Sequence, residues 1–436
     1  MTFRLGIVFG VRQVSALMCA AALALVWPGQ GQAYSVMAHQ AIIDAAWEAS
    51  MKPALHKRFP YCTDDELQLS KAYAYGGAII QDLGYYPAGN PFFSDLTHYV
   101  RSGDFILAML RDAQDANEYA FALGAMAHYA ADNKGHSVGT NRAVPILYPK
   151  LQKRYGDSVS YEDDKLAHVK TEFGFDVLEV AKGRYAPQSY HDFIGFKVTP
   201  RLLEQAFQET YGLDLKKVLS DEDHALNSYR HAVSNLLPKA TRIAWDLKKD
   251  EIQKDDPGIT KRKFLYNLKR SSYEKEWGKD YKQPTFGDKC WVFIYKLLPK
   301  IGPLKVLQFK TPTPATEKMF EASFNETLDQ YRGFLKVQRE TEKPELTNDN
   351  FDLGAVSGPG EYALSDSTHA KWLDQLAEQK FAGMNPEIRA ELLNYFGSAD
   401  TPFAMKKDKK SWAKLQTELE QLKSSSAEQK LASADK

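Results

Sequence analysis

The sequence has little cysteine, no excess of either charge, and no long hydrophobic run after its first 33 residues. Its 436 residues include only Cys19, Cys62 and Cys290, too few for a disulfide framework; the last two either form one disulfide or remain thiols. Lys and Arg total 56, as do Asp and Glu, so net charge gives no argument for a stable nucleic-acid partner, and we expect none. No later segment approaches the ~20 apolar residues of a membrane-spanning helix.

Several common catalytic signatures are also missing. The chain has no G-x-S-x-G element, no phosphate-binding Gly-rich loop, no C-x-x-C and no H-E-x-x-H motif. The stretch Gly358-Pro359-Gly360 has the composition of a turn and lacks the spacing of a nucleotide-binding loop. Any catalytic chemistry must therefore come from a pattern that extends over more of the chain.

The first 33 residues have the pattern of an export signal. Arg4 and Arg12 supply positive charge, residues 14–27 are mainly apolar, and Gly31-Gln32-Ala33 offers a small-x-small cleavage site. Cleavage there makes Tyr34 the first residue of a secreted or periplasmic protein. Retention of this segment as a membrane anchor is the alternative.

The rest of the chain has the periodicity of helices, which predicts an all-α fold. Thr63 followed by Glu66 is a capping box and predicts a helix that runs towards Gln81. Residues 117–132 are apolar nearly all round, which is typical of a helix buried on most faces. Further helices are predicted over residues 36–50, 163–182, 202–211, 222–249, 316–339 and 368–379.

The composition changes near Trp245. Residues 241–310 hold 17 Lys or Arg against 9 Asp or Glu, interleaved with Trp277, Tyr281, Trp291 and Phe293. This stretch is either a surface that contacts an anionic membrane or a solvated basic face. We predict a signal peptide over residues 1–33, a helical domain over 34–245, a helical region of unknown role over 246–403, and a charged, flexible tail over 404–436.

The strongest chemical signal is His128-x-x-x-Asp132-x-x-x-His136. On one helix these residues are four apart and project from one stripe. Burying His and Asp on an apolar helix is costly unless they find partners. For this motif alone, a hydrogen-bonded His–Asp pair is favoured over a bound metal ion.

Other residues extend the pattern. His168-x-x-x-Glu172 repeats the four-residue spacing, His39 begins the first predicted helix, and Asp82 and His98 lie in the segments that follow. The whole set contains five histidines and three carboxylates. Imidazole nitrogen and carboxylate oxygen are ligands of zinc, and this set is large enough for more than one ion.

In order and context, these residues resemble the zinc-dependent phospholipase C family, which shares its helical trinuclear zinc site with single-strand-specific nucleases. The resemblance covers residues 34–245 and identifies that segment as the catalytic domain. It implies up to three zinc ions, held by Tyr34, His39, Asp82, His98, His128, Asp132, His136, His168 and Glu172.

The resemblance also implies which of these ligands hold each zinc ion. Tyr34 takes the place of the family's N-terminal residue, usually Trp, which chelates one zinc through its amino group and carbonyl with the help of His39. Asp132 bridges that ion to a second one. The remaining ligands of the second ion are Asp82, His98 and His128, and those of the third are His136, His168 and Glu172. Asp82 is the candidate catalytic residue, placed to orient a metal-activated water or accept its proton.

The chain departs from the family in one spacing. Three residues separate Asp132 from His136, where the best-known bacterial phospholipases C have five. The shorter spacing resembles the branch that includes the glycosylphosphatidylinositol-specific phospholipase D. A Glu at position 172 is more similar to the phospholipases than to the nucleases, which commonly carry Asp.

The function expected from the resemblance is that of an exported phosphodiesterase acting on phospholipids or another phosphodiester. Cleavage of the phospholipase C type releases diacylglycerol and a phosphorylated head group; no protein partner is predicted. The alternatives are cleavage of the phospholipase D type, a single-strand-specific nuclease or nucleotidase, and a non-catalytic metal-binding module.

Two features are compatible with more than one of these functions. Tyr85, Tyr86, Phe92 and Phe93 could stack on nucleic-acid bases, line a lipid pocket or pack as core. Asp176, one turn after the last predicted ligand, is either a group that supports the metal ligands or an ordinary solvated or capping residue.

Overall fold

The computed structural model describes residues 36–86, 88–184, 197–219, 221–231, 237–264, 302–341, 344–398 and 400–434. Within these ranges all regular structure is helical, apart from an isolated antiparallel bridge between Asn350 and Ala355. The predicted all-α fold is confirmed for this part of the chain. The predicted signal peptide, Tyr34, Cys290, Trp277, Tyr281, Trp291 and Phe293 lie outside the described residues.

The α-helices follow one another through short connections. In chain order they are α1 (Val36–Ala46), α2 (Lys52–Arg58), α3 (Asp64–Gly77), α4 (Pro91–Tyr99), α5 (Ser102–Asp112), α6 (Ala116–Lys134), α7 (Asn141–Leu147), α8 (Pro149–Tyr155), α9 (Lys165–Lys182), α10 (Pro200–Tyr211), α11 (Leu215–Val218), α12 (Glu222–His231), α13 (Leu237–Asp255), α14 (Pro314–Thr341), α15 (Ala363–Glu378), α16 (Pro386–Tyr395) and α17 (Lys409–Ala434). Some are linked by π turns, at Trp47–Met51 and Gly135–Thr140, or by 3₁₀ turns, at Ile80–Tyr85, Gly302–Gln308 and Ala404–Lys407. Among the described helices, none has both the length and the apolarity needed to cross a membrane.

The predicted capping box begins α3. Thr63 Oγ1 accepts a hydrogen bond from the Glu66 backbone N–H at 3.3 Å, and the Glu66 carboxylate accepts one from the Thr63 N–H at 2.8 Å. The helix ends at Gly77, earlier than predicted, because two successive glycines weaken the last turn. A 3₁₀ turn then carries Asp82.

Helix α6 is the centre of the domain that carries the histidines. All of its 19 residues except Asn117 and Lys134 are buried, as the nearly uniform apolar pattern predicted. Helix α3 lies so close to it that a Cβ on Gly77 would be 1.9 Å from the Phe121 carbonyl oxygen. This close approach fixes the end of α3, and with it the 3₁₀ turn, against α6.

The structure describes the predicted helix over residues 222–249 in two parts. The structure has α12 and α13 in its place, and residues 232–236 between them lie outside the described part. Helix α13 starts at Leu237-Pro238, where proline is tolerated because the first turn leaves its N–H groups unbonded.

The region after residue 245 packs against the helical domain. Helix α14 lies along α6, where the Tyr331 hydroxyl donates a hydrogen bond to the Leu123 carbonyl at 2.9 Å. At the other end of α14, Phe320 stacks on Phe175 of α9 with ring centroids 4.8 Å apart. Helix α14, which lies outside the domain in sequence, therefore contacts both α6 and α9.

The end of the chain differs from the predicted flexible tail. Helix α17 buries Leu415, Leu419 and Leu422, which are at most 4 % exposed. These leucines are spaced at four and three residues and therefore share one face of the helix. These three leucines pack against the preceding helices. The charged composition of the tail did not indicate this apolar face.

Candidate metal centre

Eight of the nine predicted ligands lie in the described part of the chain, and each is at most 3 % exposed. Tyr34 lies outside it. The eight are His39 on α1, Asp82 on the 3₁₀ turn, His98 on α4, His128 and Asp132 on α6, His136 on the following π turn, and His168 and Glu172 on α9. The fold gathers them into three groups, within each of which the polar atoms lie within 4.8 Å of one another.

The first group consists of His39, His128 and Asp132. His39 Nε2 lies 3.5 Å from Asp132 Oδ1, and His128 Nε2 lies 3.1 Å from Asp132 Oδ2. The two imidazole rings stack with centroids 4.4 Å apart. Helices α1 and α6 therefore present two nitrogens and a carboxylate to one position.

The second group consists of Asp82, His98 and His128. His98 Nε2 lies 3.4 Å from Asp82 Oδ1 and 3.4 Å from Asp132 Oδ2. Asp132 thus contacts histidines of the first and the second group through both of its oxygens. This is the position that a bridging carboxylate requires.

The third group consists of His136, His168 and Glu172. Glu172 Oε1 lies 2.8 Å from His168 Nδ1 and 3.6 Å from His136 Nε2. The prediction that His136 continues the stripe of His128 and Asp132 is only partly right. The helix widens into a π turn at Gly135, which redirects His136 towards α9.

The buried polar atoms of these groups fit metal ions. Among the described residues, hydrogen-bond partners are missing for both oxygens of Asp82, Asp132 and Glu172, for Nε2 of His128 and His136, and for Nδ1 of His168. Burying such atoms without partners is costly. The donor set of imidazole nitrogen and carboxylate oxygen suits zinc, which would remove this cost.

The far side of the second group's rings is held by the backbone. His98 Nδ1 lies 2.7 Å from the Ser94 carbonyl oxygen, and His128 Nδ1 lies 3.0 Å from that of Ala78. A carbonyl only accepts, so each Nδ1 carries a proton, and Nε2 is the ring nitrogen that faces the group.

Burial and close charges shift the pKa values of the first two groups. Burial, together with the neighbouring His128, lowers the pKa of His39 to about 3, so this imidazole is neutral. Burial alone would lower the pKa of His98, but its contacts with Asp132 and Asp82 outweigh that effect and raise it to about 10. Burial raises the pKa of Asp82. Burial alone would also raise the pKa of Asp132, but its contacts with His128 and His98 outweigh that effect and hold the pKa well below its usual range.

The four aromatic residues that sequence alone left open are all buried. Tyr85, Tyr86, Phe92 and Phe93 are at most 7 % exposed, and the last three belong to the main hydrophobic core. Tyr85 lies beside the second group, with its ring centroid 5.5 Å from that of His98. Core packing therefore accounts for three of the four.

Asp176 is not a solvated residue. It is 1 % exposed, and its Oδ2 accepts a hydrogen bond from the Met37 backbone N–H at 3.2 Å. The carboxylate thus caps the beginning of α1, the helix that carries His39 and follows Tyr34. This is the capping alternative, in a buried form that the sequence did not indicate.

Three further residues of the centre were missed in the sequence. His136 Nδ1 lies 3.0 Å from the Phe351 carbonyl oxygen and 3.0 Å from Asp352 Oδ1, and His168 Nε2 lies 2.9 Å from Asn141 Oδ1. Phe351 is 215 positions from His136, so no spacing pattern links the two. The sequence signal for Phe351 and Asp352 is the cluster of Asn and Asp residues over positions 348–352.

An all-helical domain with three buried His–carboxylate groups defines a class, that of helical proteins with a metal centre. The family model described as zinc-dependent phospholipase C matches residues 38–221, less than half of the chain. The match supports a zinc-dependent phospholipase C family domain in this segment and, with it, a phospholipid hydrolase function. No curated protein and no solved structure shows a significant match to the chain.

Proposed function

We propose that the chain is an exported enzyme that hydrolyses phospholipids in the manner of a phospholipase C, with up to three zinc ions. The products are diacylglycerol and a phosphorylated head group. One observation carries the proposal: within the matched domain, eight buried side chains form three His–carboxylate groups whose facing atoms include many without hydrogen-bond partners. A packing role alone does not require these unbonded atoms.

The three groups supply the ligands of the three ions. His39, Asp132 and the first residue of the mature chain, Tyr34, hold one. Asp82, His98 and His128 hold the next, with Asp132 shared. His136, His168 and Glu172 hold the third. When bound, zinc supplies positive charge for phosphate oxygens and lowers the pKa of a coordinated water.

Asp82 is the proposed catalytic residue. It is fully buried, lies 3.4 Å from His98 and has no hydrogen-bond partner among the described residues. Burial raises the pKa of Asp82. Its role is to orient the attacking water and take its proton.

Export explains how Tyr34 becomes a ligand. Removal of residues 1–33 frees its amino group, which then chelates together with the backbone carbonyl. Asp176 caps α1 at Met37, which is three residues after Tyr34 in the sequence. We further propose that the basic and aromatic stretch 241–310 contacts the anionic surface that presents the substrate.

The test uses chain 34–436, loaded with zinc and incubated with phosphatidylcholine vesicles. Mass spectrometry then identifies the water-soluble product. Phosphocholine is expected, and Asp82→Asn should abolish its release. His56→Gln is the matched control, because His56 is exposed on α2, outside the three groups, and should change nothing.

Other products identify the alternatives. Free choline would identify cleavage of the phospholipase D type. The short Asp132–His136 spacing resembles the branch that includes such an enzyme. Degradation of single-stranded DNA without any lipid product would identify a nuclease. No reaction with either substrate would contradict the proposal and favour a non-catalytic metal-binding module.

A further inference from the structure

Residues 344–357, beyond the matched domain, form a loop that crosses the end of α6; we call it the crossing loop. Asp349 accepts hydrogen bonds from the Tyr129 hydroxyl at 2.7 Å and the Asn133 side-chain amide at 3.1 Å. At Gly354, where φ is +68°, a Cβ would lie 2.3 Å from the Asn133 carbonyl oxygen. The crossing loop is therefore fixed directly against the helix that carries two of the candidate ligands.

Asp352 lies at the buried end of this loop. It is 2 % exposed, and its Oδ2 accepts hydrogen bonds from the Tyr99 hydroxyl, at 3.0 Å, and from the Tyr362 hydroxyl. These two donors orient the carboxylate so that Oδ1 lies 3.0 Å from His136 Nδ1. The Asp352 side chain thus has a defined position on the outer side of the third group.

Both neighbours of His136 Nδ1 are acceptors. The Phe351 carbonyl oxygen and Asp352 Oδ1 each lie 3.0 Å away, so this nitrogen carries the proton. Nε2 is then the ring nitrogen that faces Glu172, at 3.6 Å. The carboxylate also increases the basicity of the ring, as carboxylates behind metal-binding histidines do.

The backbone of Asp352 reaches the second histidine of the same group. Its carbonyl oxygen accepts a hydrogen bond from the Asn141 Nδ2 at 2.7 Å. The amide of Asn141 must therefore present Oδ1 to His168 Nε2, which lies 2.9 Å away. Nε2 then carries the proton, and Nδ1 is the atom of His168 that faces Glu172 at 2.8 Å.

We propose that Asp352 is a positioning residue for the third metal group, acting through its carboxylate on His136 and through its carbonyl and Asn141 on His168. The inference rests on the proposed function only in taking the group to bind zinc. It implies that the domain over residues 38–221 does not complete its own metal centre, because a residue from beyond the domain sets the tautomers of two ligands.

The test measures zinc affinity by competition with a chelator, and zinc per chain by native mass spectrometry, on chain 34–436. Asp352→Asn keeps the size of the side chain but removes its charge. We expect it to weaken one of the bound ions about 10- to 100-fold, the usual range for a lost partner of a metal-binding histidine. Asn141→Leu, which interrupts the second route, should weaken the same ion.

Asp349→Asn is the matched control, because it makes the same chemical change in the same loop but contacts no histidine among the described residues. It should bind zinc as the wild type does. Unchanged zinc affinity in Asp352→Asn would overturn the proposal, as would an equal loss in Asp349→Asn, which would indicate only a loosened loop. Zinc binding by a wild-type chain that cleaves no lipid would contradict the proposed function and leave this inference standing.

Discussion

Gly124 of α6 lies directly against Ala74 of α3: a Cβ at position 124 would be 2.1 Å from the Ala74 carbonyl oxygen. The contact is backbone on backbone, so it sets the distance between the two helices. The same pair of helices brings the Ala78 carbonyl to His128 Nδ1. Helix packing and the orientation of a candidate ligand therefore both depend on this glycine.

Gly124→Ala should destabilise the protein by about 1–3 kcal/mol, the usual cost of overpacking a core. Because the helices must separate, it should also weaken zinc binding. Chemical denaturation measures the first effect and chelator competition the second. Gly333→Ala is the control: this glycine is exposed on α14 with no atom within 4 Å of an added Cβ, so alanine should stabilise the helix by about 0.5–1 kcal/mol.

Asp132 contacts histidines of the first and second groups, so Asp132→Asn should affect two ions together. Loss of a partner behind a ligand costs about 10- to 100-fold in metal affinity, and loss of a shared ligand should cost more. Native mass spectrometry should find the third ion alone at zinc concentrations that saturate the wild type. Retention of all ions would show that Asp132 does not bridge.

Removal of zinc should lower the melting temperature. The ions bind the folded chain, and each contributes about 2.7 kcal/mol of stability when free zinc is 100 times its dissociation constant. Differential scanning calorimetry before and after treatment with a chelator measures the effect, and added zinc should reverse it. His168→Gln, which lacks one ligand, should show a smaller drop than the wild type. A melting temperature that is the same before and after treatment with the chelator would argue against bound metal.

Glu179 should make stability depend on pH. Burial raises its pKa from 4.5 to about 7, an effect that nearby Glu317 and Glu321 add to and Arg184 opposes. Between these two values the folded state binds more protons than the unfolded state, so stability falls as the pH rises. Glu179→Gln removes this dependence.

The melting temperature of Glu179→Gln, relative to wild type, should therefore be higher at about pH 8 than at about pH 5. Glu326→Gln, on an exposed position of α14, serves as the control and should give the same difference at both values. An equal difference for Glu179→Gln would mean that its carboxyl titrates alike in both states.

Local sequence signals predicted much of the fold. The Thr63–Glu66 capping box and the helix ends at Gly183 and Gly212 depend on residues within a few positions of each other, and all three are present. Both glycines have positive φ, at 71° and 67°, which explains why they end their helices. Such features can be predicted from the sequence because the residues that form them are neighbours in the chain.

The candidate ligand residues could be predicted from the sequence, but their arrangement in space could not. The i, i+4 pairs His128–Asp132 and His168–Glu172 meet as their spacing requires, at 3.1 Å and 2.8 Å. The redirection of His136 by a π turn was not predictable, since the turn depends on tertiary contacts. The same holds for Asp352, which lies next to His136 only because the crossing loop returns to α6.

The most direct test of the account is to hydrolyse phosphatidylcholine with zinc-loaded chain 34–436 in water enriched in oxygen-18. Cleavage of the phospholipase C type places the label in phosphocholine and leaves diacylglycerol unlabelled, and this is the result we predict. Label in phosphatidic acid, with unlabelled choline released, would contradict it. That result would keep the metal centre but assign it to the other phosphoester bond.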